Sequence, residues 1–215
     1  MLTRDQALEL LNSMPQEVSD MNHYLETEVI MKALAKHFGE DEEYWGLLGL
    51  LHDVDWSLTK DDWSQHTIKA EEILKEKGFD ETFIQIVQSH AYGYEHIPVF
   101  KDKKRTQKVE HALIAAETLT GIIFAYALMR GKKISDMEVK GLKKKLKDKG
   151  FAANCNRDLI REIEEKHGED TYMMIEAMLN DEDEEQFENS EEKEIPVDKL
   201  LWWCEFQDQV KVFDN

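Results

Sequence analysis

The chain has 215 residues, with 27 Lys and Arg against 46 Asp and Glu and a formal net charge of −19. That length suits one domain or one domain with an appendage, and it buries a proper core without disulfides or a structural metal. Ten Gly and three Pro are too few for a turn-rich sandwich or barrel, and the acidity excludes duplex nucleic acid as a main partner, which needs a basic footprint.

The opening residues, Met1 to Gln6, lack the apolar stretch of a secretory signal. Cys155 and Cys204 lie in different segments, so a cytoplasmic chain with free structural thiols is expected. Helix signals dominate from there, and an all-α fold follows. The pattern predicts helices over 4–13, ending near Pro15, and over 21–38, stopped by Gly39. A third runs from Asp41 to Asp53. A fourth, capped by Ser64, runs to Lys77 before Gly78. Asp80 caps a fifth that reaches about Ala91. A loop of about fifteen residues with Gly93, Pro98 and a basic cluster comes next. A long apolar helix spans about 107–130, Ser135 opens a Lys-rich helix, and 156–180 adds one or two more. His111 to Met129 approaches the length that spans a bilayer. Glu117 at its middle is costly in lipid, so a buried core helix is expected, and no membrane.

Composition shifts at 181. Between Asp181 and Glu194 lie nine acids and one Lys, a block that repels itself and reads as a solvated linker. Residues 1–180 are therefore taken as the helical domain and 181–215 as an acidic linker with an aromatic tail. The tail carries Leu200, Leu201, Trp202, Trp203 and Phe206. It is expected to dock on the core or to join two copies as a homodimer, because adjacent exposed tryptophans make a sticky patch.

Four of the eight histidines sit at the ends or on the apolar faces of these helices. His23 leads a stripe with Thr27, Ile30 and Leu34. His52 follows Trp45 and Leu48, and Asp53 follows it directly. His66 precedes Ala70 and Ile73, and His90 follows Phe83 and Val87. Glu117 lies inside the most apolar helix. Any one of these His alone would be an ordinary core histidine. A buried carboxylate is harder to explain without a partner. Together they suit a divalent metal held between helices: iron, manganese, nickel or zinc.

The sequence resembles the HD-domain superfamily of metal-dependent phosphohydrolases. The match lies in Asn22-His23, Leu50-Leu51-His52-Asp53-Val54-Asp55 and Ala115-Ala116-Glu117-Thr118-Leu119-Thr120-Gly121. It continues through Lys147-Asp148-Lys149-Gly150-Phe151-Ala152-Ala153, as in a small bacterial subgroup of predicted HD hydrolases, and covers about 15–170. The resemblance implies an HD-type helical bundle. It implies that His23, His52 and Asp53 bind a first metal. Glu117 stands where the family usually has Asp, and its longer side chain is kept as a ligand. His66 and His90 match the extra histidines of two-metal members, with Asp53 bridging. One or two divalent ions are implied, iron or manganese before zinc or nickel.

The activity implied is hydrolysis of a nucleotide or another small phosphoester by a metal-activated hydroxide, with Asp53 holding the bridge. Asp55 and His96 are candidate proton carriers, and the Tyr92–His96 loop is expected to face substrate. Lys101, Lys103, Lys104, Arg105 and Lys108, with the basic run from Arg130 to Lys149, offer local positive charge for phosphate, although such runs are commonly solvated faces. The acidic linker would then fold over this face and compete with substrate. Two other classes share the pattern. One is a di-iron oxygenase on the same scaffold, with Tyr24 closing over an iron. The other is a non-catalytic metal-binding or scaffold protein with a degenerate site.

Overall fold

Side-chain caps fix where most of the helices begin. In the computed structural model, which describes residues 1–130 and 137–168, α1 (Arg4–Asn12) starts with a reciprocal pair. Thr3 Oγ1 accepts from Gln6 N at 3.3 Å, and the Gln6 side chain accepts from Thr3 N at 3.0 Å. α2 (Val18–Phe38) ends at Gly39, whose φ of +70° closes the helix in the left-handed region. Asp41 caps α3 (Glu42–Leu51) by accepting from Tyr44 N at 2.9 Å. A short α4 (Trp56–Thr59), a 3-10 turn (Trp63–Gln65), α5 (Ile68–Glu76) and α6 (Glu81–Ser89) follow. Asp80 caps α6 through Phe83 N, also at 2.9 Å. α7 (Lys108–Met129), α8 (Val139–Lys147) and α9 (Arg157–His167) complete the described part, which contains no β-strand. The fold is all-α, as the low Gly and Pro content requires.

Three details differ from the sequence-based expectation. The helix expected over Ser64–Lys77 is split. Asp62 accepts from both Ser64 N and Ser64 Oγ, winding a 3-10 turn. His66 is then extended and Thr67 takes a left-handed φ of 63°. The capping job falls to Asp55, whose Oδ2 accepts from Ala70 N in the first turn of α5 at 3.0 Å. The unforeseen α4 shortens the loop after Asp53. The Lys-rich helix starts at Val139, preceded by extended Glu138; Ser135 lies outside the described residues. So do 169–180, the acidic linker and the aromatic tail with Cys204, while Gly168 ends α9 at φ +74°.

α7 is the central element. Its buried residues run without a break from Glu110 to Ile123, and α2, α3, α6, α8 and α9 all pack on it. It is long and apolar enough to cross a membrane, and the fold uses that character as core. Each fully buried Leu or Ile here contributes roughly 1.5–3 kcal/mol. α2 and α3 approach closely at Gly49, where a Cβ would stand 2.7 Å from Thr27 O and 2.9 Å from the Glu28 backbone. A second apolar cluster, with Trp56, Tyr94, Ile97, Phe100, Ile114 and Leu159, closes the bundle beside α4 and the 90–107 loop. Gly93 turns that loop at φ +87°, its N–H bonded to Phe100 O at 2.9 Å. Beyond α8, buried Arg157 donates to the carbonyls of Leu146, Asp148, Phe151, Ala152 and Cys155, which shapes the Lys147–Ala153 stretch around one guanidinium.

Candidate metal centre

Four imidazoles meet between α2, α3, α6 and the start of α5, and each has one ring nitrogen already committed. His52 and His90 stand just past the ends of α3 and α6, where helix carbonyls lack intrahelical partners. His52 Nδ1 bonds Gly49 O at 2.7 Å, and His90 Nδ1 bonds Val87 O at 2.6 Å. A carbonyl only accepts, so both Nδ1 atoms carry hydrogen. His66 Nδ1 lies 3.0 Å from Asp55 Oδ1. His23 Nδ1 lies 2.7 Å from Thr120 Oγ1, whose own hydrogen goes to Glu117 O. By the same argument these two also donate. All four rings therefore turn Nε2 to the interior, the arrangement by which outer partners orient metal-binding histidines.

The inward atoms are close. His23 and His52 Nε2 are 2.9 Å apart, and His66 and His90 Nε2 are 3.0 Å apart. Ring nitrogens this close share a proton or a cation. Asp53 reaches both pairs. Its Oδ2 is 3.7 Å from His23 and 3.5 Å from His52, and its Oδ1 is 3.4 Å from His66 and 3.3 Å from His90. The result is two groups with metal-ligand spacing, His23-His52-Asp53 and Asp53-His66-His90. Glu117 belongs to neither three-residue group, but its Oε2 is 3.7 Å from His52 Nε2 at the edge of the first.

The electrostatics ask for positive charge. Burial, with Asp53 opposing it, pushes His52 down to about 4, and burial sends His23 well below its usual range. Both are neutral ligands near pH 7. Burial would raise Asp53, yet His52 and the hydrogen bonds from His66 and His90 outweigh it and hold the carboxyl well below its usual range. Burial would lower His66, yet Asp55 and Asp53 carry it up to about 10. A proton or a divalent cation answers that same field. Glu117 is held well above the usual carboxylate range by burial and by Asp53, a like-charge strain that a cation between them relieves. The mixed imidazole and carboxylate set fits iron, manganese, nickel or zinc.

A scan against family models matches the HD domain over residues 21–202. The chain belongs to the HD-domain family. HD domains are generally metal-dependent phosphohydrolases, and the matched stretch runs past the described residues, through the acidic segment and into the aromatic tail. No curated protein matches, and no solved structure does. The HD pair is His52–Asp53, set in the turn after α3, where Trp56 N bonds back to Asp53 O at 2.9 Å.

Of the residues singled out in the sequence, His23, His52, Asp53, His66, His90 and Glu117 are brought together. His96 is not. It is exposed on the 90–107 loop, with its ring against Trp63 and Tyr94. Tyr24 is buried beside His23 and His52, with its hydroxyl donating to Gln16. The basic cluster is partly spent on packing. Arg105 pairs with Glu162, Lys103 lies over Tyr92 and Phe100, and Lys108 lies over Phe38. Sequence reasoning missed the orienting shell. Asp55 was weighed as a proton carrier, and Thr120 only as part of the motif around Glu117. The signal for Gly49 O and Val87 O was available, since a His closing a helix can bond the carbonyl three residues back.

Proposed function

We propose that this HD-domain protein is a two-metal phosphohydrolase acting on a nucleotide or another small phosphoester. The observation that supports it is Asp53, whose two carboxylate oxygens face two separate histidine pairs. His23, His52 and Asp53 would hold one ion, with Glu117 beside it, and Asp53, His66 and His90 the other. Bound there, divalent ions supply Lewis acidity and a hydroxide at neutral pH. The chain's own part is to keep the ligands oriented and dry. Asp55 holds the His66 ring, Gly49 O and Val87 O hold those of His52 and His90, and Thr120 that of His23. Of the six residues only His23 has appreciable exposure, 11 % of its side chain. Substrate would therefore approach over the first turns of α2, where Lys60 pairs with Glu17 at 3.0 Å.

The test is elemental analysis of chelator-free protein, wild type against His52→Ala, followed by phosphomonoesterase and phosphodiesterase assays. About two equivalents in the wild type, fewer in the variant, and phosphate release that depends on the metal are expected. A folded wild type that takes up no metal on soaking would sink the reading. Oxygen uptake in step with turnover would transfer the centre to the oxygenase class.

A further inference from the structure

Arg105 lies outside the metal centre, yet it is almost fully buried, with 5 % of its side chain exposed. One edge of its guanidinium is a fork on Glu162 of α9, Nε at 2.8 Å and Nη2 at 2.9 Å. Its remaining nitrogen, Nη1, donates to Ser89 O at 3.2 Å and Tyr92 O at 3.0 Å. Those two carbonyls bracket His90 and Ala91, where α6 unravels. Glu162 is itself fixed from the other side by His111 Nδ1 of α7 at 3.0 Å. Five N–H bonds thus tie the end of α6 to α7 and α9.

A loop end carrying a ligand has no helix ladder to hold it, and helix ends are where a chain frays first. His90 Nδ1 is aimed by Val87 O, but that bond orients the ring only as well as the backbone beneath it is placed. The first-ion ligands are placed differently. His23 sits in the second turn of α2, and His52, which also closes a helix, follows Gly49, where α3 packs on the α2 backbone.

We infer that Arg105 is a positioning residue for the second ion: its strap across Ser89 and Tyr92, anchored on Glu162, sets His90 opposite His66 and so decides whether the Asp53-His66-His90 group binds. This rests on the two-metal reading above. The planar five-donor fork is needed because a Lys ammonium cannot hold a bidentate carboxylate and two divergent carbonyls at once. Removing partners of this outer kind costs about 10–100-fold in metal affinity.

The experiment is a stepwise Mn²⁺ titration of the full chain, read by equilibrium binding and by electron paramagnetic resonance, for wild type, Arg105→Ala and Arg105→Lys. Wild type is expected to bind two ions, the second producing the broadened spectrum of a spin-coupled pair. Arg105→Ala is expected to keep the first ion at wild-type affinity, to weaken the second about 10–100-fold and to show the six-line spectrum of an isolated ion. If Arg105→Ala does not fold, because Glu162 is left buried against His111 alone, Arg105→Lys decides. It retains a cation for Glu162, and the second ion is still expected to weaken about tenfold. A folded variant with unchanged second-ion affinity overturns the inference. So does equal weakening of both ions, which marks a merely structural role. Wild type binding fewer than two ions fails the two-metal reading itself, before any variant is compared.

Discussion

Gly46 and Gly49 lie one turn apart on α3, and alanine at each tests how the helix pair sets the centre. Both substitutions bring the same gain in helix propensity, about 1 kcal/mol. They differ in what the new methyl meets. At Gly46 it meets Lys32 Cε at 2.6 Å and Cγ at 2.9 Å, the body of a flexible side chain that can swing away. At Gly49 it meets Thr27 O at 2.7 Å and the Glu28 backbone at 2.9 Å, and a packed helix backbone cannot. Ordinary contact lies near 3.5 Å, so α2 and α3 must separate by roughly 0.7 Å. Overpacking of this kind costs about 1–3 kcal/mol. In a chain of this length, each kcal/mol moves the melting temperature by about 2–4 °C. Gly46→Ala should therefore melt near or slightly above wild type. Gly49→Ala should melt about 4–8 °C below Gly46→Ala, taking 2 kcal/mol as the difference. The same displacement carries His52 away from His23, whose Nε2 atoms are now 2.9 Å apart. Metal sites tolerate about 0.5 Å of misplacement, so the first ion should bind more weakly in Gly49→Ala and unchanged in Gly46→Ala. Thermal denaturation and a Mn²⁺ titration of both variants check this. A Gly49→Ala protein that melts with Gly46→Ala and binds metal equally would refute the argument that this close approach places His52.

Further outcomes follow from buried carboxylates. Asp55→Asn keeps an acceptor for Ala70 N but turns an amide N–H₂ toward His66 Nδ1. The ring proton then moves to Nε2, and second-ion affinity should fall about 10–100-fold while the circular dichroism spectrum is retained; unchanged binding in an isothermal titration would remove Asp55 from the orienting shell. Glu26 of α2 is buried, and burial alone raises its carboxyl to about 8. The native state then holds a proton that the unfolded chain releases near 4.5, so stability is full below that pH and falls as pH rises toward 8, by roughly 1 kcal/mol per unit. Denaturant unfolding of Glu26→Gln across that window should lack this slope, and an identical slope in both proteins would contradict it.

The helices were legible where local chemistry decides them. Gly39 and Gly78 stop helices, and Asp80 caps one, as read from the chain. The long apolar segment around Glu117 was read as core, and α7 is that core. The Ser64–Lys77 helix was misjudged because its cap is not local. Asp55, fifteen residues from Ala70, supplies the acceptor, and no window around Ser64 contains it. His96 was placed toward substrate as part of the Tyr92–His96 loop. The loop instead folds onto Trp63 and Tyr94 and leaves His96 outside the centre.

Residue type and spacing alone determined that this chain is helical and that six of its His and carboxylate residues are candidates for the interior, because period and charge cost act within a few residues. The His23 and His66 tautomers, the shared position of Asp53 and the Arg105 strap were decided only by tertiary structure. Each depends on an acceptor or donor delivered from another helix, and a hydrogen bond of 3 Å has no signature in a chain whose partners stand 11 to 97 residues apart.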